Sequence, residues 1–465
     1  MNKKREILKN TDIYIEEGKI KQIGKNLNQF LTKIDKTINA TDMIIIPGLI
    51  NTHHHLFQTL FRGVDQLKKR PIIEWVKTLC SLLDGLDEEV IYSAACIGTA
   101  ELLLSGCTTT SDHLYVYPHK RTNLFGSQIK AAKNMKIRFH PVRGNLSVDE
   151  KGNSIWPKFV IENDEQVLIN LEKTINQYHD ENDYSMCQVA LGPCAYYSAS
   201  KKLFSQIGKL ARKHHVRLHT HSLELPDENS QCQKLFNLNA LEFLEHVGFL
   251  GKDSWLAHGV YATDKDINRL AKSRTSISYT PFCSTAKKRV PPIIQMLQAG
   301  INVGIGTDGS ASNDASNMIQ ESRLAGRLQG MNQVDESVSY FRATQILELA
   351  TLGGARCLGR ESVLGSIEPG KAADLAIIDI NLHLECTGFN NPLEAIFHSG
   401  LNRVDYTIVN GQIVVEKGEI KAINGNSLEK IIDNHNNIVK SLISRAEKKL
   451  GYSLSMGWTS AIKKI

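Results

Sequence analysis

An α/β fold is predicted: a (β/α)8 TIM-like barrel carrying a small β-sandwich-like domain built from both termini. Three observations predict it. Between about Ile50 and Gly330, helix-length segments, polar or glycine breaks and short β-branched runs alternate several times, the pattern of a parallel sheet with crossover helices. Each β-branched run ends in polar, reactive residues, and a barrel gathers such strand ends at one rim. Neither GxGxxG nor a Walker sequence follows the first strand, so the phosphate loop typical of an open doubly wound sheet is missing.

In chain order, TDIYIEEGKIKQIG alternates apolar and polar residues around a tight turn and reads as a hairpin. MIIIPGLINTHHH follows as a strand that ends in histidines. Asp87 caps DEEVIYSAACIGTAELLLSG, whose apolar residues recur at helical spacing as far as Gly106, before the strand-like CTTTSDH. Helix then strand recurs in SASKKLFSQIGKLARKHH before VRLHTHS, NALEFLEHVGFLG before SWLAHGV, DKDINRLAKSR before TSISYTP, and PPIIQMLQAG before INVGIGTDG. The polar stretch Glu181 to Tyr184 is a loop. ADLAIIDI (Ala373 to Ile380) and VDYTIVNGQIVVEKGEI read as further strands, the latter around Asn410-Gly411, the strongest type I′ turn signal in the chain. SLEKIIDNHNNIVKSLISRAEKKLGY is a helix outside them. A chain of 465 residues exceeds what one core normally grows to, and the expected division is residues 1–48 with 365–425 in the small domain, 49–364 in the barrel and 426–465 in a C-terminal helical extension.

Hydrophobic content of 42% against 22% charged residues belongs to a folded globular protein. The net charge of +6 suggests no nucleic-acid partner, because Lys and Arg are spread along the chain without a basic block. No window approaches the roughly 18 to 20 apolar residues of a spanning helix, and the N-terminus lacks an apolar leader, so no membrane association is expected. Nine cysteines, an odd number without a CxxC pair, fit a reduced cytoplasmic setting.

Side chains at positions i and i+2 of a strand face the same way, so His53 and His55 point together into the barrel mouth while His54 turns outward. Alone, an HxH pair is equally well two hydrogen-bonded strand-end histidines. Other strand ends add His219, His221 and Glu224 in HTHSLE, His258 in LAHG and Asp308 in GTDGSASND. Three imidazoles with a carboxylate make a borderline-soft N/O site suited to zinc or iron, with a position open for water: a catalytic pattern. A non-catalytic scaffold has no physical need for such a set at one rim. His219, two before His221, fits a supporting position behind the ligands, with a core histidine as the alternative. Cys107 and Cys194 have no charge partner in sequence and read as buried packing residues.

The motifs PGLINTHHHLFQTL, SGCTTTSDHLYVYP, VRGNLS, HTHSLE, GTDGSASND and EPGKAADLAIID resemble, in order and spacing, the mononuclear-metal deaminases of the amidohydrolase superfamily. They are most similar to its 8-oxoguanine deaminase, isoxanthopterin deaminase and hydroxylated s-triazine aminohydrolase subgroup. The resemblance implies that His53, His55, His221 and Asp308 hold one divalent metal ion, zinc or iron, with Glu224 and His258 flanking the water. It implies hydrolytic deamination of an amino-substituted purine or pterin-like heterocycle, or hydrolysis of a triazine-type amine or halide, by a protein that is a homo-oligomer. A substrate-contacting glutamine is implied at Gln58, and Trp75 resembles the aromatic of a loop over the ring, with a core tryptophan as its plain reading. Arg143 and Tyr196, with Asp112 and His113, are further rim candidates. Two departures bear on substrate choice and domain size: TPFCSTAKKRVPP places Ser284 where an amide side chain is expected and adds the basic run Lys287-Lys288-Arg289, and the small domain starts late. No lysine occurs in CQVALGPCA for the bridging carbamate of a two-metal site.

Overall fold

The computed structural model describes residues 5–29, 33–64, 67, 78–79, 82–118, 123–331, 341–421, 423, 425–451 and 453–454. The strands are β1 (Asp12–Glu16), β2 (Lys19–Gly24), β3 (Ile44–Pro47), β4 (Leu49–Asn51), β5 (Cys107–Leu114), β6 (Arg138–Arg143), β7 (Ala190–Leu191), β8 (Arg217–Ser222), β9 (Ser254–His258), β10 (Ser276–Tyr279), β11 (Val303–Ile305), β12 (Leu375–Ile378), β13 (Tyr406–Val409), β14 (Gln412–Glu416) and β15 (Glu419–Ile420). Strands β4 to β11 follow one another around a closed parallel barrel, in which β11 meets β4 through the pair Ile305 and Asn51. The (β/α)8 expectation is met. Every residue of β5 and β6 is buried, because a barrel strand has side chains packed inside it and helices outside it.

The run MIIIPGLIN is two strands in two sheets. Gly48 is the switch between them: a Cβ there would collide with the Thr108 side chain, so only glycine lets β3 leave the small sheet as β4 enters the barrel. Strands β15, β14, β13, β12 and β3 form an antiparallel sheet in that order. The N-terminal hairpin β1–β2 is a separate sheet that covers it, with Ile20 packed on Leu375, Ile377 and Ile408, and Ile20 N donating to Lys371 O at 2.8 Å. Both ends of the chain thus build one small β layer pair. Asn410 and Gly411 have φ of 50° and 73°, the two left-handed residues that a type I′ turn between β13 and β14 requires.

The helix Glu88–Leu104 begins where Asp87 accepts from Val90 N at 3.0 Å and ends before Gly106 at φ 81°. The C-terminal helix Leu428–Leu450 lies along it, and Ser93 Oγ meets His435 Nδ1 at 3.1 Å. Among the described residues no helix is long and apolar enough to cross a membrane.

Candidate metal centre

Strand β4 ends at Asn51, and the next four residues carry on into the barrel mouth, held by main-chain bonds such as Thr52 N to Ile305 O at 2.9 Å. His53 and His55 keep their common orientation there, their rings 4.7 Å apart. His221 near the end of β8 lies within 5.1 Å of both rings, and Asp308, just past β11, places Oδ1 3.5 Å from His53 Nε2 and 3.5 Å from His55 Nε2. Asp308 is tied to the first histidine by its own backbone: Asp308 N donates to His53 O at 3.0 Å. His54 faces the other way, buried behind the barrel wall with Nε2 on Ser316 Oγ at 2.8 Å.

Backbone carbonyls fix the imidazole tautomers. A carbonyl only accepts, so His55 Nδ1 must donate to His113 O (2.8 Å) and His221 Nδ1 to Cys194 O (2.6 Å). His219 Nδ1 donates to Trp255 O at 2.8 Å, which leaves its Nε2 to accept from His53 Nδ1 at 2.8 Å. Burial, the largest influence, lowers the pKa of His53, His55 and His221, keeping all three neutral. In each, the remaining Nε2 carries a lone pair. His55 Nε2 and His221 Nε2 nevertheless stand 3.1 Å apart, and buried His53 Nε2 has no hydrogen-bond partner. Three convergent lone pairs beside a carboxylate repel one another unless a cation lies among them, so the donor set fits a divalent metal ion.

His258 and Glu224 border this cluster. His258 ends β9 with φ 83°, and Leu223 and Asp308 are also left-handed, at 55° and 61°; strained backbone gathers at the rim. His258 Nδ1 meets Thr280 Oγ1 at 2.8 Å, and its Nε2 faces Glu224 Oε2 at 3.8 Å. The turn carrying Glu224 is pinned by Glu228, whose carboxylate accepts from Leu223 N and Glu224 N at 2.7 and 2.9 Å. Lys287 Nζ lies 2.9 Å from Glu224 Oε1. Burial would raise the Glu224 carboxyl, yet the Lys287 ammonium above all brings it down to about 2. A basic residue noted in sequence only as a departure therefore sits on the rim carboxylate.

The remaining candidates divide. Gln58 is buried beside the Asp308 loop, its Oε1 accepting from Ala311 N at 3.3 Å. Tyr196 stands at the rim, edge-on to Tyr197 at 5.0 Å. Arg143 is not brought to the cluster with free donors: its guanidinium pairs bidentately with Glu162 at 2.6 and 2.8 Å and stacks on Tyr117 at 3.6 Å. Trp75 falls outside the described residues. His113 stacks on His221 with rings 5.3 Å apart, and Asp112 Oδ1 accepts from Leu56 N at 2.5 Å. Ser284 turns away and donates to Thr280 O at 3.0 Å. Sequence reading missed Tyr115, 5.1 Å from the His55 ring, although it stands two beyond His113; it missed Cys283 too, whose thiol lies within 4.8 Å of His258 and Asp308 ligand atoms.

Residues 44–414 match the amidohydrolase family. The chain is 34% identical to the 8-oxoguanine deaminase of Pseudomonas aeruginosa, across 93% of this chain and 95% of that protein. It is 33% identical to the hydroxydechloroatrazine ethylaminohydrolase of a Pseudomonas species, across 92% and 91%. Its backbone superposes on the zinc-bound atrazine chlorohydrolase of Arthrobacter aurescens with a TM-score of 0.87 at 31% identity, covering 93% of this chain and 96% of that one.

Proposed function

Since this chain belongs to the amidohydrolase family and is a hydrolase acting on C–N bonds, we propose that it deaminates an amino-substituted purine or pterin-like heterocycle, as an 8-oxoguanine deaminase does. One observation carries the reading: three neutral imidazoles aim lone pairs at one point beside the Asp308 carboxylate, with Glu224 and His258 at its edge. In this proposal His53, His55, His221 and Asp308 hold one divalent ion, zinc or iron. When bound, that ion supplies Lewis-acid activation of water.

The protein's own groups do the rest. Glu224 enters the cycle as a carboxylate, held so by Lys287, and takes a proton before it gives one. Handing that proton to a ring nitrogen makes the adjacent amidine carbon electrophilic. His258, anchored through Thr280, orients the attacking water, and Asp308 helps to accept its second proton. The proton then reaches the amino group and ammonia leaves. Gln58, which both donates and accepts, suits a lactam edge; Tyr196 is assigned to the wall of the pocket, Trp75 to substrate contact on the resemblance alone, and Arg143 to shaping the wall through Tyr117.

The likeness to a chlorohydrolase favours one second reading, removal of a triazine-type halide or amine by the same groups. The test is a panel of aminopurines, pterins and chloro- and amino-triazines given to zinc- or iron-loaded protein, with ammonia, alkylamine and chloride all measured. Ammonia from a purine or pterin is expected, and E224Q should retain metal while losing turnover. Chloride or alkylamine alone would establish the second reading, and no product from any compound would overturn both. The eight described cysteines are all free, which supports a cytoplasmic setting, and the exposed Leu382, Leu384 and Phe389 support a homo-oligomer.

A further inference from the structure

Beneath the metal centre, at the opposite end of the barrel, basic side chains form a closed circuit of contacts. Arg138 and His140 share the inner face of β6. The His140 ring stands edge-on to Trp255 of β9 at 5.6 Å, and the Arg217 guanidinium of β8 lies over the same indole at 5.9 Å. Arg217 packs in turn against Gly359, where a Cβ would come within 2.5 Å of Arg217 Nη1. The next residue, Arg360, donates to Ser185 O at 2.7 Å, and Arg138 donates to that same carbonyl at 2.8 Å. The circuit thereby returns to its start.

Its charges do not balance. Of the three guanidiniums only Arg138 has a carboxylate in ion-pair contact, Asp374, which it engages bidentately at 2.9 and 3.0 Å and which accepts from Asn410 N at 2.7 Å; Asp183 acts on Arg360, and Asp253 and Glu361 on Arg217, from beyond ion-pair contact. Among the described residues Arg360 and Arg217 have carbonyl partners and no carboxylate in ion-pair contact. Their donors are not used up. Arg360 Nε and Nη1, Arg217 Nε, and both nitrogens of His140 are buried with no hydrogen-bond partner, as are the hydroxyls of Thr109 and Ser111. Ser111 is the β5 neighbour of His140, so its hydroxyl belongs to the same lining.

A buried guanidinium such as that of Arg360 persists when it is paired, and water cannot supply the missing charge. We infer that the barrel floor binds a small monovalent inorganic anion of the chloride class, held by Arg360, Arg217 and His140. Small size follows from the walls: Trp255, Ala355 and Leu358 are fully buried around it. Arg217 extends from the floor toward solvent, where Nη2 donates to Lys252 O at 3.1 Å, and this marks the route of entry. Trp255 links the two ends of the barrel, because His219, which accepts from His53, stacks on it at 4.5 Å.

The test uses metal-loaded wild-type protein and no turnover assay, so its outcome is independent of the deaminase reading. Crystals grown in sodium bromide and measured at the bromine edge should show an anomalous peak within hydrogen-bond reach of the His140 and Arg360 nitrogens. In solution, chloride should raise the melting temperature saturably relative to gluconate at equal ionic strength, and R360M should abolish that rise while keeping its metal content. A floor filled by water alone, with identical melting in the two salts, would overturn the inference.

Discussion

Lys287 shows how one side chain sets the working state of another. Its ammonium, 2.9 Å from Glu224 Oε1, is the largest of the influences that lower that carboxyl to about 2 against its own burial. Replacing it by methionine removes the cation and leaves the burial, so the Glu224 pKa should rise. Deamination by K287M should then lose its acid-side activity at higher pH than wild type, with metal content unchanged; overlapping profiles would show that Lys287 does not govern Glu224. The parity of HxH and the strand-end positions of His221 and Asp308 were legible in sequence because side-chain alternation is a property of any strand. The carbonyls of His113 and Cys194 that fix the imidazole tautomers were not, since a main-chain acceptor carries no residue signature. Nor was the fate of Arg143, decided by Glu162 on a different segment.

The elements most visible in sequence are those whose ends are chemically marked. Asp87 opens the helix Glu88–Leu104, and D87A should cost about 1 kcal/mol of unfolding free energy in denaturant titration, with the midpoint moved and the slope kept. No loss would mean that water caps the helix equally well. Strand β6 was illegible for physical reasons: RFHPVR is buried on both faces, so its Arg and His lie inside rather than marking a solvent face, and Pro141 argues locally against a strand. Strand β7 lies in CQVALGPCA, whose strand-like character was legible, although the strand itself is only Ala190–Leu191. Gly48 was equally silent: a glycine after a proline reads as a turn, and only the packed Thr108 reveals that it lets one run serve two sheets.

Across the whole molecule, the buried Arg138–Asp374 pair joins the barrel floor to the segment leading into β12. Removing one partner strands the other, so D374A should cost about 3–5 kcal/mol in equilibrium unfolding, and R138M/D374L much less. Equal losses in the single and double variants would show that the charges themselves matter little. The sequence announced a two-part architecture through its hairpins, yet this tie spans segments too far apart for any local pattern to connect. The same separation governs the barrel seam, where Thr307 N donates to the Asn51 side chain at 3.0 Å from a residue 256 positions away. As the ribosome works from the N-terminus, the histidines of the proposed centre emerge long before Asp308. On that proposal, tight ion capture comes late in biogenesis, after the last stave of the barrel has docked against the first, and a nascent chain halted before that point carries the imidazoles without Asp308 beside them.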